Sequence, residues 1–442
     1  MTASESWLIV IVGYAFLLAW PLSTVILMWF GLRYIGTHRA KVVNRARSGG
    51  EGRPDHFWII VPALNEEAVV ANTVGAALEL RGPAGTLSRV LVVDDGSDDR
   101  TPEVLAGIDH PRLHVMRREL PEARQGKGEA LNAAYRHISM LTAEAGVAPE
   151  RVVVGIIDGD GQGSENILVE VSRLMRDTRV GAVQVQVRIR NRNRILGAVQ
   201  DLEFGAIVDA CQNLRDALDT VGLGGNGQFS RLSALQALGS APWSSCLVED
   251  LELGLRMHLG GVAVRYTSRA SVTQQAVVDV RRLTRQRTRW AQGNMQCARY
   301  LGRLFSSPRI ARVALAEMLH YLLSPWANAM VTVVLIGTGI AGLGGLLIGH
   351  PIAFLPTWAA LAESGGVWLA VTTFPGLLWV LVHKRKLGDE RTHRMLAAAV
   401  AYPAFLILGL AATYRALGRQ ASGRQAWAKT ERLAEEPVAL PA

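Results

Sequence analysis

Apolar residues are unevenly spread along this chain. Trp7–Leu32 is almost wholly apolar, the middle alternates short apolar runs with mixed segments, and long apolar stretches return after Leu315. The first stretch is long enough to cross a bilayer. Arg33, His38, Arg39, Lys41, Arg45 and Arg47 follow it, and basic residues beside a span favour the cytoplasmic side. The pattern predicts an N-terminal anchor with the next domain inside the cell. It does not read as a signal peptide: Met1–Ser6 carries Glu5 and no Lys or Arg, the apolar run is too long, and no small-residue cleavage pattern follows. Ser48–Arg53 reads as a flexible linker.

In the middle, apolar runs at Phe57–Val61, Val90–Val93, Leu113–Met116, Val152–Ile157 and Gly181–Ile189 read as buried strands separated by helical segments. Asn65 is expected to cap the first of those helices, with Glu66 and Glu67 in its first turn. A second helix is expected near Thr101-Pro102 and a third over Ala130–Leu141. This alternation predicts an α/β, doubly wound, mostly parallel sheet with right-handed crossovers. A helical stretch Asn193–Thr220, a glycine-rich loop Gly222–Gly227, an acidic helix start at Leu247–Leu253, a short strand Val262–Tyr266 and an arginine-dense helix Val278–Tyr300 follow. That last helix reads either as an element lying at the membrane surface or as a solvated basic helix.

Three further spans are expected: Trp326–Leu347 with Ser324-Pro325 at its start, Val367–Val382 ending in His383-Lys384-Arg385-Lys386, and Met395–Leu410. With the anchor they would leave the tail outside, yet Arg415, Arg419, Arg424, Lys429 and Arg432 favour the cytoplasm. Either Met395–Leu410 is re-entrant or in-plane, or Ile352–Ala362 belongs to another crossing. The organisation expected is an anchor over 1–32, a basic linker over 33–55, a cytoplasmic domain over 56–277, interfacial helices over 278–314, membrane helices over 315–412 and a basic tail over 413–442.

Composition supports this division. Of 442 residues, 49% are hydrophobic, more than a soluble domain needs, and the net charge is +9. The basic residues gather beside the apolar segments and no nucleic-acid-reading motif is present, so the partner implied is a lipid bilayer and not nucleic acid. Cys211, Cys246 and Cys297 form no CxxC pair and no zinc-ligand spacing, which implies reduced thiols.

The chemistry gathers where the apolar runs stop. Val154–Ile157 ends in Asp158-Gly159-Asp160, two carboxylates placed to face one side of a strand's end, where open α/β sheets hold ligands. Carboxylates with substrate phosphate suit Mg2+ or Mn2+. Val90–Val93 ends in Asp94-Asp95, and Lys127 between two glycines is free to reach phosphate. Glu249-Asp250 opens a helix, and Gln286, Arg289 and Trp290 lie within about one helical turn.

Taken in order, Pro62-x-x-Asn65-Glu66, Asp94-Asp95-Gly96-Ser97, Gly126-Lys127-Gly128, Asp158-Gly159-Asp160, Glu249-Asp250 and Gln286-x-x-Arg289-Trp290 resemble the motif set of the membrane-bound family 2 glycosyltransferases, a GT-A-fold family that includes polysaccharide synthases. The tail Trp427-Ala428-Lys429-Thr430-Glu431-Arg432 is similar to tails of some members. Residue by residue, the resemblance implies that Pro62, Asn65, Glu66, Asp94, Asp95, Lys127 and Asp158 bind a nucleotide-sugar, with Asp94 or Asp95 on the uracil. It implies that Asp160 and Asp158 hold Mg2+ or Mn2+, and that Asp250 is the general base with Glu249 beside it. Gln286, Arg289 and Trp290 would bind acceptor and diphosphate. Val248 stands where the family pattern has Thr, which removes a hydroxyl and leaves both carboxylates.

The function implied is inverting, metal-dependent hexosyl transfer from a UDP-sugar to a growing β-linked polysaccharide, processive and coupled to export. The alternative is single addition of a sugar to a membrane lipid. The location implied is a multi-pass plasma-membrane protein with its catalytic domain in the cytoplasm. So few spans make a one-chain channel hard to build, which favours the lipid alternative or a homo-oligomer.

Overall fold

The computed structural model describes residues 22–28, 54–352, 355–424 and 432–435. Most of the expected anchor and linker, and Trp427–Glu431 of the tail, lie outside these residues. Residues 22–28 form a helical stretch, α1.

The sheet begins with β1 (His56–Ala63), α2 (Val70–Glu79), β2 (Leu87–Asp94), α3 (Thr101–Ala106), β3 (Leu113–Arg117), α4 (Lys127–Glu144) and β4 (Val152–Ile156). β1 pairs in parallel with β2 and β4, and β2 with β3, as expected of buried runs joined by crossover helices. β1, β4 and the second half of β2 are apolar on both faces, whereas β3 at the sheet's edge is partly exposed. Phe57, Ile59 and Val61 pack with Val70, Val74 and Leu78 of α2, and Trp58 and Ile60 with Leu131, Ala134 and Ile138 of α4.

The second half departs from the expected pattern. β5 (Gln162–Gly163), α5 (Ile167–Leu174) and β6 (Val180–Ile189) lead to the helical stretch α6 (Ile195–Leu202), a π-helical segment Glu203–Val208 and α7 (Asp209–Leu218). β7 (Gln228–Arg231) then inserts between β4 and β6, antiparallel to both, and the full order is β3-β2-β1-β4-β7-β6-β8-β5. The sheet is therefore mixed. β7 escaped detection because Gln-Phe-Ser-Arg has no apolar periodicity, although all four residues are buried. Its fit explains Gly155 inside the Val152–Ile157 run: a Cβ there would lie 2.5 Å from Cδ1 of the paired Phe229. β8 (Ala263–Gln274) is much longer than the short strand expected, and runs parallel to β6. α8 (Leu232–Gln236) and α9 (Glu249–Leu259) complete this half.

α10 (Val280–Cys297), α11 (Leu301–Ser306), α12 (Arg312–Leu347), α13 (Trp358–Lys386) and α14 (Thr392–Ala421) follow. α12, α13 and α14 are long and apolar enough to cross a membrane, and only 12%, 28% and 39% of their apolar windows are buried within the molecule. Exposed apolar surface of that extent requires a lipid or protein cover. α12 starts well before the expected span, so Pro325 lies inside it, and Pro403 lies inside α14.

The sheet domain is tied to α13 and α14 by a buried contact as well as an apolar one. Ala198, Val199, Leu202 and Ile207 pack on Trp379, Val382, Ala398 and Tyr402. Within that layer Asp201, fully buried, lies 2.8 Å from His383 Nε2 and 3.3 Å from Arg192, and Lys386 pairs with Asp209. Breaking a buried pair from one side leaves uncompensated charge, at a cost of roughly 3–5 kcal/mol. Asp201→Ala, which removes the carboxylate facing the buried His383 and leaves Arg192 only Asp389 and Glu390, is therefore expected to lower the thermal unfolding midpoint of the detergent-solubilised chain by several degrees. An unchanged midpoint contradicts the assignment of this cluster as the tie between the two layers.

Candidate functional site

The loops after β1, β2 and β4 meet along one sheet edge, as parallel strands require, and the start of α9 closes on them. They surround a cavity of about 720 Å3. Pro62, Glu66, Asp95, Lys127, Asp158, Glu249, Asp250, Gln286, Arg289 and Trp290 all line it. Residues separated by more than two hundred positions thus converge on one space.

Lys127, the first residue of α4, is the hub. Its Nζ donates to Asp158 Oδ1 at 2.5 Å and to Gly225 O at 2.9 Å, and lies 3.8 Å from Glu249 Oε1. Burial works against the ammonium, but Asp158, Glu249 and Asp250 outweigh it and hold its pKa above that of an ordinary lysine. Gly225 sits among these groups: a Cβ there would lie 2.9 Å from Lys127 Nζ and 3.3 Å from Asp250 Oδ2. Gly128 is equally constrained, since a Cβ on it would collide with the Ser244 carbonyl oxygen.

Glu249 is buried and Asp250, facing the cavity, is half-buried. Desolvation raises Glu249, with Asp250 adding to the effect and Lys127 opposing it, to about 7. Asp250 is raised too, first by burial. Asp250 Oδ1 accepts the N–H of Leu251 at 2.8 Å. The segment before the pair rests on α10: Arg289 Nη1 donates to Leu247 O at 3.1 Å, and a Cβ on Gly293 would lie 2.7 Å from both Val248 methyl carbons. The arginine-dense helix is therefore bound into the site. Trp290 stands edge-on to Phe204 at 6.4 Å, with the Arg287 guanidinium 4.6 Å above its ring.

Three expected residues take other positions. Asp94 is fully buried and does not line the cavity; its oxygens accept from Ser97 N–H and from Arg117, each at 2.9 Å. Asn65 does not cap α2, which begins at Val70; its φ is 55°, and it ties two loops together through Ser97 and Asp98. Glu66 and Glu67 accordingly precede the helix instead of forming its first turn. Asp160 is fully buried behind the cavity wall, with Oδ2 accepting Gln275 N–H at 2.8 Å and Oδ1 lying 3.0 Å from Arg432 Nη2.

Arg432 itself lines the cavity, as do Gln184, Asn226 and Gln274. Gln184 and Gln274 were not assigned to the site because polar side chains on strands carry no motif; Asn226 lies in the glycine-rich loop and Arg432 in the tail, neither of which has a spacing that points to the cavity. Arg118, outside the expected set, pairs with Asp95, whose carboxyl burial pushes upward against that arginine. The far wall of the cavity comes from Phe204, Val208, Arg215 and the first turns of α12: Glu317, His320, Tyr321 and Ser324. Arg215 donates to Glu317 at 2.6 Å and stacks over Tyr321 at 4.1 Å.

A profile of the family described as glycosyltransferase like family 2 matches residues 54–293, a span that holds every motif residue from Pro62 to Trp290. A β-monoglucosyldiacylglycerol synthase of Trichormus variabilis is 33% identical over 247 residues, covering 55% of this chain and 49% of that protein. A poly-β-1,6-N-acetyl-D-glucosamine synthase of Staphylococcus epidermidis is 26% identical over 293 residues, covering 63% of this chain and 65% of that protein. The chain thus spans about half to two thirds of the length of these relatives. Among solved structures, a mannosyltransferase from Pyrobaculum calidifontis, in complex with GDP-Man and Mn2+, superposes with a TM-score of 0.53 at 19% identity, over 86% of this chain and 97% of that one. That likeness speaks for a common GT-A fold.

The raised carboxylate has a consequence for stability. Glu249 titrates near 4.5 when unfolded and near 7 in the fold, so the fold binds its proton more tightly. Its contribution is most favourable below pH 4.5, is lost as pH rises to about 7, and is level above that. Unfolding midpoints measured from pH 4.5 to 8 should fall more steeply in the wild-type chain than in Glu249→Gln. Parallel curves contradict a buried, raised Glu249.

Proposed function

The chain belongs to the family described as glycosyltransferase like family 2, and from that premise we propose that it transfers a hexosyl unit from a UDP-sugar to a hydroxyl arriving from the membrane side of the cavity. The observation that carries this reading is that one cavity joins the acidic loops of the sheet edge to the first turns of α12, a helix apolar enough to span a bilayer. The sheet domain would lie on the cytoplasmic face of the plasma membrane, with the C-terminal helices crossing it several times.

On this reading Asp95 and Glu66 face the nucleoside end, and Lys127 and Arg289 the diphosphate. Asp250 takes the proton of the acceptor hydroxyl. The acceptor oxygen bonds to the sugar C1 as the bond from C1 to the diphosphate oxygen breaks, and UDP departs with that electron pair. A single displacement of this kind inverts C1. The elevated pKa of the Glu249–Asp250 pair suits a base that must take a proton near neutrality. Glu249, next to Lys127, positions Asp250.

Mg2+ or Mn2+ is expected, and Asp160 with Asp158 would hold it. The fit is supported by Asp160 Oδ1, which is buried, receives no aligned hydrogen bond and faces a cationic side chain. Among the described residues no cluster of three or more His, Cys, Asp or Glu side chains is poised for a metal. Two carboxylates plus diphosphate and water is the set that Mg2+ commonly takes. When bound, the cation offsets charge on the departing diphosphate.

A lipid hydroxyl is the acceptor that best suits a cavity walled by α12. Polysaccharide elongation is the second reading, favoured by the Trp290–Phe204 surface with Arg287 above it, a platform on which a sugar ring can stack. Export of a polymer through so few spans would call for assembly of several copies.

Membranes containing the chain, given labelled nucleotide-sugars with Mn2+, are expected to incorporate label only from a UDP-sugar, into one solvent-extractable glycolipid. A high-mass ladder would move the assignment to elongation. Asp250→Asn should lower kcat by about 10^2 to 10^4-fold while UDP binding persists. Unimpaired turnover in that variant removes Asp250 from the chemistry.

A further inference from the structure

Residues 432–435 form a short strap laid across the cation end of the cavity. Gln275 holds it at two points: its Oε1 accepts the Leu433 N–H at 2.8 Å, and its Nε2 donates to Leu433 O at 2.9 Å and to Glu435 Oε1 at 2.7 Å. Glu435 also pairs with Arg190 at 2.5 Å, and its N–H donates to Ala68 O at 3.3 Å. The strap therefore bridges the end of β8 and the segment before α2. It delivers the Arg432 guanidinium between the cavity and Asp160: Arg432 lines the cavity, and Asp160, 3.0 Å behind it, does not.

The contact is electrostatic more than directional. Neither Asp160 Oδ1 nor Arg432 Nε has an aligned hydrogen-bond partner, although both are buried. Gln275 connects the two ends of the arrangement, because its backbone N–H donates to the other oxygen of Asp160 while its side chain grips the strap. Any shift of Asp160 is thus transmitted to the strap's anchor. A guanidinium and a divalent ion cannot both sit against one carboxylate oxygen in a closed space, since like charges at such separations repel strongly out of water.

We propose that Arg432 is the resident counter-cation of Asp160 and is exchanged for the divalent ion, so that metal entry unseats the strap and opens the cation end of the cavity. This rests on the assignment of Asp160 as a metal ligand. Without the ion, the strap keeps a buried carboxylate paired and the cavity closed at that end; with it, Arg432 is released and the grip of Gln275 on Leu433 and Glu435 loosens.

The test is direct Mn2+ binding to the full chain in detergent, read as free Mn2+ by electron paramagnetic resonance without nucleotide. A competitor weakens apparent affinity by the inverse of the fraction of time it leaves the site free, so for a site free about a tenth to a hundredth of the time Arg432→Ala should bind Mn2+ about ten- to a hundredfold more tightly than wild type. Arg432→Lys should fall between them. Glu435→Gln, which loosens the strap without touching Asp160, should shift affinity in the same direction as Arg432→Ala. In the wild-type chain, Mn2+ with UDP should speed amide hydrogen exchange at Leu433. Equal or weaker Mn2+ binding in Arg432→Ala overturns the proposal; if Asp160→Asn then abolishes that binding, the metal assignment survives alone. Absence of Mn2+ binding in every variant overturns both.

Discussion

One half-buried ammonium holds this site together. Lys127 opens α4, Asp158 ends the run of β4, and Glu249 and Asp250 open α9, so the cation fastens three segments that approach from different directions. Two unit charges about 4 Å apart attract by about 4 kcal/mol at the effective dielectric of a protein surface, but desolvating them offsets much of that gain. What remains is mainly geometric. With Lys127 in place three carboxylates can share a small volume; without it they would protonate or part. The close packing around it follows. Gly128 admits no side chain, because a Cβ would strike the Ser244 carbonyl oxygen, and a Cβ on Gly225 would push the Lys127 ammonium aside.

The second constraint is the seat of the sheet domain on the apolar helices. The π-helical turn Glu203–Val208 lies between α6 and α7, and such turns are uncommon outside functional sites. Here it directs Phe204 and Val208 into the cavity while Asp201 and Asp209, on either side of it, face His383 and Lys386. One irregular stretch of helix therefore builds the cavity wall facing α12 and the tie to α13. Displacing α13 would move the wall with it.

Much of this was legible in the sequence, and what was not has a physical cause. Buried parallel strands read as continuous apolar runs, so β1, β2 and β4 and their acidic ends were apparent, and Asp95, Lys127, Asp158, Asp250 and Trp290 do share a space. Asp94 and Asn65 were indistinguishable from their neighbours by residue type; only the loop geometry separates a side chain facing the cavity from one bracing the loop behind it. β7 lacked any periodicity. Cys246 and Cys297 carried no spacing signal, yet their sulfurs lie 3.9 Å apart, brought together by the packing of the loop before α9 on α10. The role of Arg432 was hidden because the strap reaches Asp160 across more than 270 positions.

The charges lining the cavity divide into two halves, and this division bears on the choice of acceptor. Toward α12 and the π-helical turn, Arg215 pairs with Glu317 and Arg287 with Glu203, so that half is neutral by its own pairs. A neutral, partly apolar wall favours an uncharged hydroxyl over a phosphorylated one, which would find its arginines already engaged. Toward the sheet edge, Glu66, Asp95, Asp158, Glu249 and Asp250 line the wall with Asp160 directly behind; Lys127, Arg124, Arg289 and Arg432 line it too, and Arg118 pairs with Asp95. A nucleotide diphosphate entering that half meets carboxylates set among basic groups, and an accompanying cation would ease its repulsion from them. The strap's guanidinium settles among these carboxylates, beside the fully buried Asp160.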